Sequence, residues 1–257
     1  MQFTRRIAAK TAGLFLCLRD MTNAALVEAE WKQVAWGNYE TNLHFLRLVQ
    51  LPPPPLRILE IGCGKGAILE NLRVAGYQCH GIDIDPDALS ECRETHPNIS
   101  VGLGSGESLP FEGNRFDVVL SFDVFEHIRD SDRHIAEVRR VLDVRGQYLL
   151  QTPNKWTNIP FEVLRHMKKL HLSPIAAYYE VTREHCALHN YWELRKRFER
   201  NGFELSFFGV PVVNDYFKSK MRNYLGFLGP ALLVVLNPDK FPMCLRTNFY
   251  ARASRKH

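Results

Sequence analysis

Leu59-Glu60-Ile61-Gly62-Cys63-Gly64-Lys65-Gly66 reads as a short apolar strand with a carboxylate near its end, turning through three alternating glycines into a helix. Glycines at such a turn let a ligand approach the backbone closely, and the N-terminus of the helix that follows favours negative charge. A glycine-rich turn alone is a weak signal. Its companion is Gly81-Ile82-Asp83-Ile84-Asp85-Pro86, in which a second apolar strand ends in an acid about 20 residues on, placed to accept both hydroxyls of a ribose. Together the two stretches predict a site for an adenosine-type cofactor.

Glu60 and the glycine spacing discriminate among such cofactors. A pyrophosphate-binding fingerprint spaces its glycines GxGxxG behind apolar residues; here the spacing is GxGxG and an acid stands two residues before it. That acid would repel a pyrophosphate, which counts against a nicotinamide dinucleotide. It suits a ligand with an amine and a sulfonium, which points to S-adenosylmethionine.

Outward from these strands the chain alternates. Apolar strands are predicted at Leu56–Ile61, Gln78–Asp83, Ile99–Leu103, Asp117–Ser121 and Gln147–Thr152, with helical patterns at Ala67–Ala75 and Ser131–Leu142. Pro86 opens a helix, Gly76 closes one, and Gly146 precedes a strand. This is the pattern of a parallel sheet with helices on both faces. Past Pro153 the segment 154–190 shows no clean strand; a helix follows at Tyr191–Asn201, then strands at Phe203–Val210 and Thr247–Ala253. Pro52–Pro55 reads as a stiff hinge after an N-terminal helical cap, 1–51, which leaves 52–257 as the main domain.

Composition limits the classes. The chain has 257 residues, 46% hydrophobic and 24% charged, which is the balance of an ordinary globular protein. The net charge of +5 could suggest nucleic acid, but the excess lies at the termini: Arg5, Arg6, Lys10 and Arg19 against Asp20, and Arg246, Arg252, Arg255 and Lys256 with no acid. The middle is slightly acidic, so no nucleic-acid partner is expected. The six cysteines lack metal-like spacing and read as reduced thiols of a cytoplasmic protein. Thr4-Arg5-Arg6-Ile7 before the apolar run Ala12–Leu18 resembles an export leader, but Lys10, Arg19 and Asp20 interrupt that pattern; an amphipathic helix is expected instead. The apolar run Tyr224–Leu236, about 20 Å long as a helix, is too short to span a bilayer and reads as buried or surface-inserting.

The sequence resembles the class I S-adenosylmethionine-dependent methyltransferases, in particular the type 11 methyltransferase domain. LEIGCGKG matches the family's first motif and GIDIDPDAL its second; Glu107-Ser108-Leu109-Pro110-Phe111, then Arg115 to Ser121 and Glu126-His127, match the third and fourth. The resemblance covers residues 56 to 152 closely and 180 to 210 loosely. It implies one doubly wound, Rossmann-like α/β domain with a seven-stranded, mostly parallel sheet whose last strand is antiparallel. The cofactor half is 56–152, and segments 153–190 and 211–243 cover the acceptor. It implies that Gly62, Gly64 and Gly66 line the cofactor's amino-acid end, with Glu60 supporting the turn or the amine. Asp83 would hold the ribose, Ile84 would pack on the adenine, the Ser105-Gly106-Glu107 loop would meet its edge, and Phe122 and Asp123 would sit beside the transferring methyl. Ser105 stands where the family usually has an acid.

Several residues carry two readings. His127 could be a general base or could order its loop; Asp117 and Asp85 read as structural and capping residues, and Cys63 as an inert filler of the turn. Glu184, His185 and His189 are spaced to place two imidazoles one helical turn apart, yet without a third ligand no metal is expected. The candidate catalytic pair is therefore His127 and Asp123. Trp156, Phe161, Tyr178, Tyr179, Tyr216, Phe217 and Phe227 hint at a flat or greasy acceptor, although most are expected in the core. The expected activity is methyl transfer to a small-molecule, lipid-linked or sugar-linked acceptor, at oxygen. The enzyme is expected in the cytoplasm with peripheral contact at the inner membrane surface. A non-catalytic cofactor-binding module, an NAD-dependent oxidoreductase and a nucleic-acid or protein methyltransferase are the rivals.

Overall fold

The computed structural model describes residues 38–256. The leader-like segment and most of the expected helical cap lie outside the described residues. What is described before the hinge is α1 (Tyr39–Val49).

Seven strands follow: β1 (Arg57–Ile61), β2 (Gln78–Asp83), β3 (Ser100–Leu103), β4 (Phe116–Phe122), β5 (Leu142–Pro153), β6 (Phe203–Phe208) and β7 (Asn248–Arg255). They form one sheet in the order β3-β2-β1-β4-β5-β7-β6. Pairs from β3 to β5 are parallel, while β7 runs antiparallel to both β5 and β6. The sheet is thus the doubly wound, Rossmann-like architecture expected, with the last strand reversed. The order turns around between β1 and β4, and the crevice at the carboxyl ends of those strands is where such sheets bind ligands.

Both faces are buried, and the strands show why. Ile58, Val118, Leu120, Leu149 and Tyr250 point to one layer; Leu59, Val119, Tyr148, Leu150, Phe249 and Ala251 point to the other. Side chains alternate along a strand, so an apolar residue at every position covers both sides. The first layer is closed by α1 and α2 (Ala67–Val74) and flanked by α3 (Pro86–Thr95); the second by α4 (Ser131–Val141) and α7 (Tyr191–Arg200). Phe45 of α1 is fully buried edge-on against Phe122, Phe208 and Tyr250, so this helix is part of the core.

Two stretches differ from the sequence reading. β5 begins at Leu142, directly after α4, rather than at Gln147, and its pairing with β4 is irregular between Phe116 and Val118. A Cβ at Gly146 would stand 2.7 Å from Leu142 Cγ and 3.0 Å from the Asp117 carbonyl, so this glycine permits a close approach inside the strand rather than marking its start. The segment 154–190 folds as two helices, α5 (Lys155–Leu170) and α6 (Pro174–Glu184). The long apolar run splits between α8 (Asp215–Leu225) and α9 (Leu228–Val235), broken at Gly226, whose φ of 62° is left-handed. Gly229 has no room for a side chain: its Cβ would fall 2.3 Å from the Met221 carbonyl oxygen, which shows how tightly α9 folds back on α8. No described helix is long and apolar enough to cross a membrane.

Candidate active site

The turn after β1 carries Gly62, Gly64 and Gly66 at φ values of 72°, 48° and 81°. All three lie in the left-handed region that penalises other residues. Gly62 and Cys63 donate their N–H groups to the Ile82 carbonyl, at 2.8 and 3.0 Å, and Gly64 N–H donates to Asp83 Oδ2 at 2.7 Å. Asp83 also accepts from the Asp85 N–H at 2.9 Å. Asp83 therefore fixes the turn as well as ending β2, and its carboxylate keeps lone pairs free for further donors. Asp85 caps α3, accepting from Asp87 and Ala88 N–H groups, as its position before Pro86 predicts. Asp117 is a structural residue: both its oxygens are taken by the Arg57 guanidinium and backbone.

Glu60 is 4% exposed, and its Oε2 has no hydrogen-bond partner. Burial, reinforced by the Asp83 charge, pushes its carboxyl well above the usual carboxylate range. An unpartnered carboxylate oxygen under a glycine turn is what an α-ammonium group would complete. Beyond Asp83, Ile84 is 75% exposed, and Leu103, which pairs with Asp83 in register, is 64% exposed. Uncovered apolar side chains at the strand ends offer a face for a flat ring. These features fit an S-adenosyl group.

The loop after β3 is held by its own side chains. Ser105 Oγ accepts from the Glu107 N–H, and Glu107 Oε1 accepts from the Arg129 and Asp130 N–H groups. Gly106 is buried; its carbonyl accepts from His134 Nδ1 at 2.9 Å. Ser105 and Glu107 thus position the loop, and Ser105 stands exposed. Phe122 is buried in the layer beneath α1, so its ring packs against the core.

After β4 the chain turns at Asp123, held at a φ of 55°, an uncommon conformation for a residue with a side chain. Asn38 Nδ2 donates to both its oxygens, at 2.8 and 3.0 Å, and its own N–H donates to Gln151. Asp123 lines a cavity of about 290 Å³ walled by the start of α1, by α5 and α8, and by the chain entering β7. The cavity adjoins the glycine turn. A Cβ on Gly62 would stand 2.3 Å from Val124 Cγ2, and Val124 lies between two cavity-lining residues, Asp123 and Glu126.

His127 is exposed and stands outside the lining of that cavity; its Nδ1 bonds the Glu184 carbonyl at 2.8 Å and its ring packs on His185. Glu126 faces the cavity instead. It is 2% exposed, accepts from Thr152 Oγ1 at 3.1 Å, and is driven above the ordinary carboxylate range by burial and by the Asp123 charge. The sequence reading quoted it within a motif match and gave it no role of its own. An acid three residues after Asp123, at the end of a buried strand, is the signal that could have found it.

The expected helical spacing of His185 and His189 does not form, because α6 ends at Glu184 and the intervening chain is not helical. Among the covering aromatics, Phe161 and Phe217 line the cavity, whereas Trp156, Tyr178, Tyr179 and Phe227 are 46–84% exposed rather than in the core.

Residues 59–150 match a family model described as a methyltransferase domain. That stretch is similar to a methyltransferase domain. A Mycolicibacterium smegmatis protein named "Probable S-adenosylmethionine-dependent methyltransferase" is 32% identical over 103 residues, covering 40% of this chain and 40% of its own. A ubiquinone biosynthesis O-methyltransferase of Azorhizobium caulinodans is 33% identical over 108 residues, 40% of this chain and 43% of that one. The matched stretch thus spans less than half of the length of those relatives. A solved S-adenosylmethionine-dependent methyltransferase of Mesorhizobium loti covers 86% of this chain and all of its own at a TM-score of 0.59 and 15% identity, a likeness of fold.

Proposed function

We propose that this protein is an enzyme that transfers a methyl group from S-adenosylmethionine to an oxygen of a small-molecule, lipid-linked or sugar-linked acceptor. The observation that carries the reading is the close approach of Val124 to the glycine turn, which sets that turn beside a cavity lined by both polar and apolar residues. When bound, the cofactor supplies an already activated methyl, so much of the acceleration comes from holding acceptor, methyl and sulfur in line. Glu60 and the three glycines would hold the amino-acid end, Asp83 the ribose, and Ile84 the adenine face. The Asn38–Asp123 contact orients the strand end towards the acceptor.

Asp83→Ala and Gly64→Arg should each lower the affinity for S-adenosylhomocysteine by 100-fold or more by calorimetry, an estimate of about 3 kcal/mol for a lost charged partner or a filled cradle. Unchanged affinity in both would refute the cofactor assignment. Incubation with methyl-labelled cofactor and fractionated extract should label a lipid, glycan or small-molecule pool. Cofactor binding without any transferred label would identify a binding module instead.

The same reading includes contact with a membrane surface. Phe227, Val234 and Val235 on and beside α9 are 80–84% exposed, and Lys218 and Arg222 of the adjoining α8 are exposed too. Apolar side chains beside basic ones suit an anionic bilayer. Flotation with anionic vesicles should recover the protein, and Val234→Asp with Val235→Asp should abolish recovery.

A further inference from the structure

We propose that the cavity takes a neutral, polyhydroxylated group such as a sugar ring, and that Glu126, set beside Asp123, accepts the proton of the hydroxyl being methylated. This rests on the methyltransferase reading above and names the acceptor class and the base within it.

Among the described residues the wall contains no lysine or arginine, so these residues offer a carboxylate or phosphate on the acceptor no counter-ion. Its acids do not offer an open negative surface either. Both Asp123 oxygens accept from Asn38, and Glu162 is paired with Arg165 behind it. What the wall leaves unanswered is neutral. Asn158 Oδ1, Thr247 Oγ1 and His185 Nδ1 are buried without any hydrogen-bond partner, and all three residues line the cavity. Each such orphan is destabilising until something fills it. The set mixes an amide acceptor, a hydroxyl that both donates and accepts, and an imidazole nitrogen that does either by tautomer. A group that carries several hydroxyls can answer all three. An ammonium, with donors only, would leave the Thr247 hydroxyl hydrogen without an acceptor, and an apolar ring would leave all three stranded.

The base follows from the same wall. As the acceptor oxygen forms its bond to the methyl carbon, the carbon–sulfur bond breaks and its electron pair remains on sulfur, giving a neutral thioether. The hydroxyl proton must leave to a nearby group. Asp123 and Glu126 both line the cavity, and burial together with the Asp123 charge holds the Glu126 proton on; once rising pH has removed that proton, the Glu126 carboxylate takes up the one that the hydroxyl releases. The groups facing Glu126 are Asp123 at the end of β4, Thr152 on β5, and His185 and Glu162 across the cavity, with Arg165 on Glu162. Burial and His127 keep His185 from charging, so it does not compete for that proton.

Wild-type protein saturated with S-adenosylhomocysteine is titrated with phenyl glycosides of the common hexoses, with benzylamine and with benzoate, by saturation-transfer NMR; methyl transfer to each is then measured with labelled cofactor. Binding and methylation within the glycoside series alone is expected. Binding of benzylamine or benzoate with no glycoside bound overturns the acceptor class. Thr247→Val and Asn158→Ala should each raise the glycoside KM about fivefold, with S-adenosylhomocysteine affinity unchanged; unchanged KM in both overturns the wall assignment. Glu126→Gln should lower kcat about 100-fold and remove the rise of kcat with pH above the usual carboxylate range, while the glycoside still gives a saturation-transfer signal. A retained pH limb in Glu126→Gln overturns the base. Failure of the wild type to bind S-adenosylhomocysteine would instead count against the underlying methyltransferase reading.

Discussion

Replacing Gly62 by alanine is expected to cost the protein its S-adenosylhomocysteine binding, by 100-fold or more, while leaving the sheet folded. Two effects add. At a φ of 72° a Cβ carries a left-handed penalty of about 1–2 kcal/mol. It would also stand 2.3 Å from Val124 Cγ2, a contact that real structures do not hold, so either the turn or the strand end after β4 must move. Val124 stands between Asp123 and Glu126, so the shift reaches the acceptor cavity as well as the cofactor turn. The two effects separate in a double variant. Val124→Ala with Gly62→Ala removes the collision and keeps the left-handed penalty, so calorimetry should recover part of the affinity and no more. Full wild-type affinity in Gly62→Ala alone would show that the turn does not approach a ligand closely. Gly66→Ala, whose Cβ would meet Cys92 Sγ at 2.5 Å, is the milder companion, because a thiol on α3 has more freedom to yield.

The half of the molecule that could be read from the residues is the half built on local rules. Strands β1 to β4 are short apolar runs bounded by turn residues, and the glycine turn and the Asp85 cap depend on neighbours close in the chain. Gln78–Asp83 is even placed to the residue. The acceptor half is different. The burial of Glu126 depends on distant chain, with Thr152 of β5 bonded to it across 26 residues, and Asn38 meets Asp123 across 85 residues of chain. His127 attracted attention because an imidazole titrates near neutrality, but the turn Phe125–His127 directs the carboxylate inward and leaves the imidazole exposed. Periodicity in a three-residue helical turn carries no such information. The covering helices were hidden for another reason: Pro160 lies inside α5 and breaks the helical reading of that segment.

The second large effect concerns acid. His134 is fully buried on α4, with Nδ1 at 2.9 Å from the Gly106 carbonyl and Nε2 at 2.9 Å from the Tyr148 hydroxyl, which in turn lies 2.6 Å from Ser121 Oγ. The carbonyl can only accept, so Nδ1 carries the hydrogen. A neutral imidazole then accepts from Tyr148, and Ser121 donates to the tyrosine oxygen, which completes one chain of donors across β4 and β5. Burial lowers the His134 pKa to about 4, because a second proton would have no acceptor in this chain. A histidine whose pKa is depressed in the fold stabilises it fully above the unfolded value of about 6.5. The contribution is lost as pH falls from there towards 4, where the unfolded chain takes the proton first. The loss over that interval amounts to about 3 kcal/mol. His80, His185 and His189 are shifted the same way and share the window, whereas Asp117 and Glu137, held down by arginines, act only below the ordinary carboxylate range. Urea unfolding at intervals from pH 7 to 4.5 should therefore show a fall steeper in wild type than in His134→Gln, which lacks the titrating group but is less stable at pH 7. Equal slopes would mean that His134 is not held neutral. Because the same imidazole holds the Gly106 carbonyl, S-adenosylhomocysteine affinity in wild type should weaken over the same pH interval, and in His134→Gln it should be weaker at pH 7 and lose that dependence.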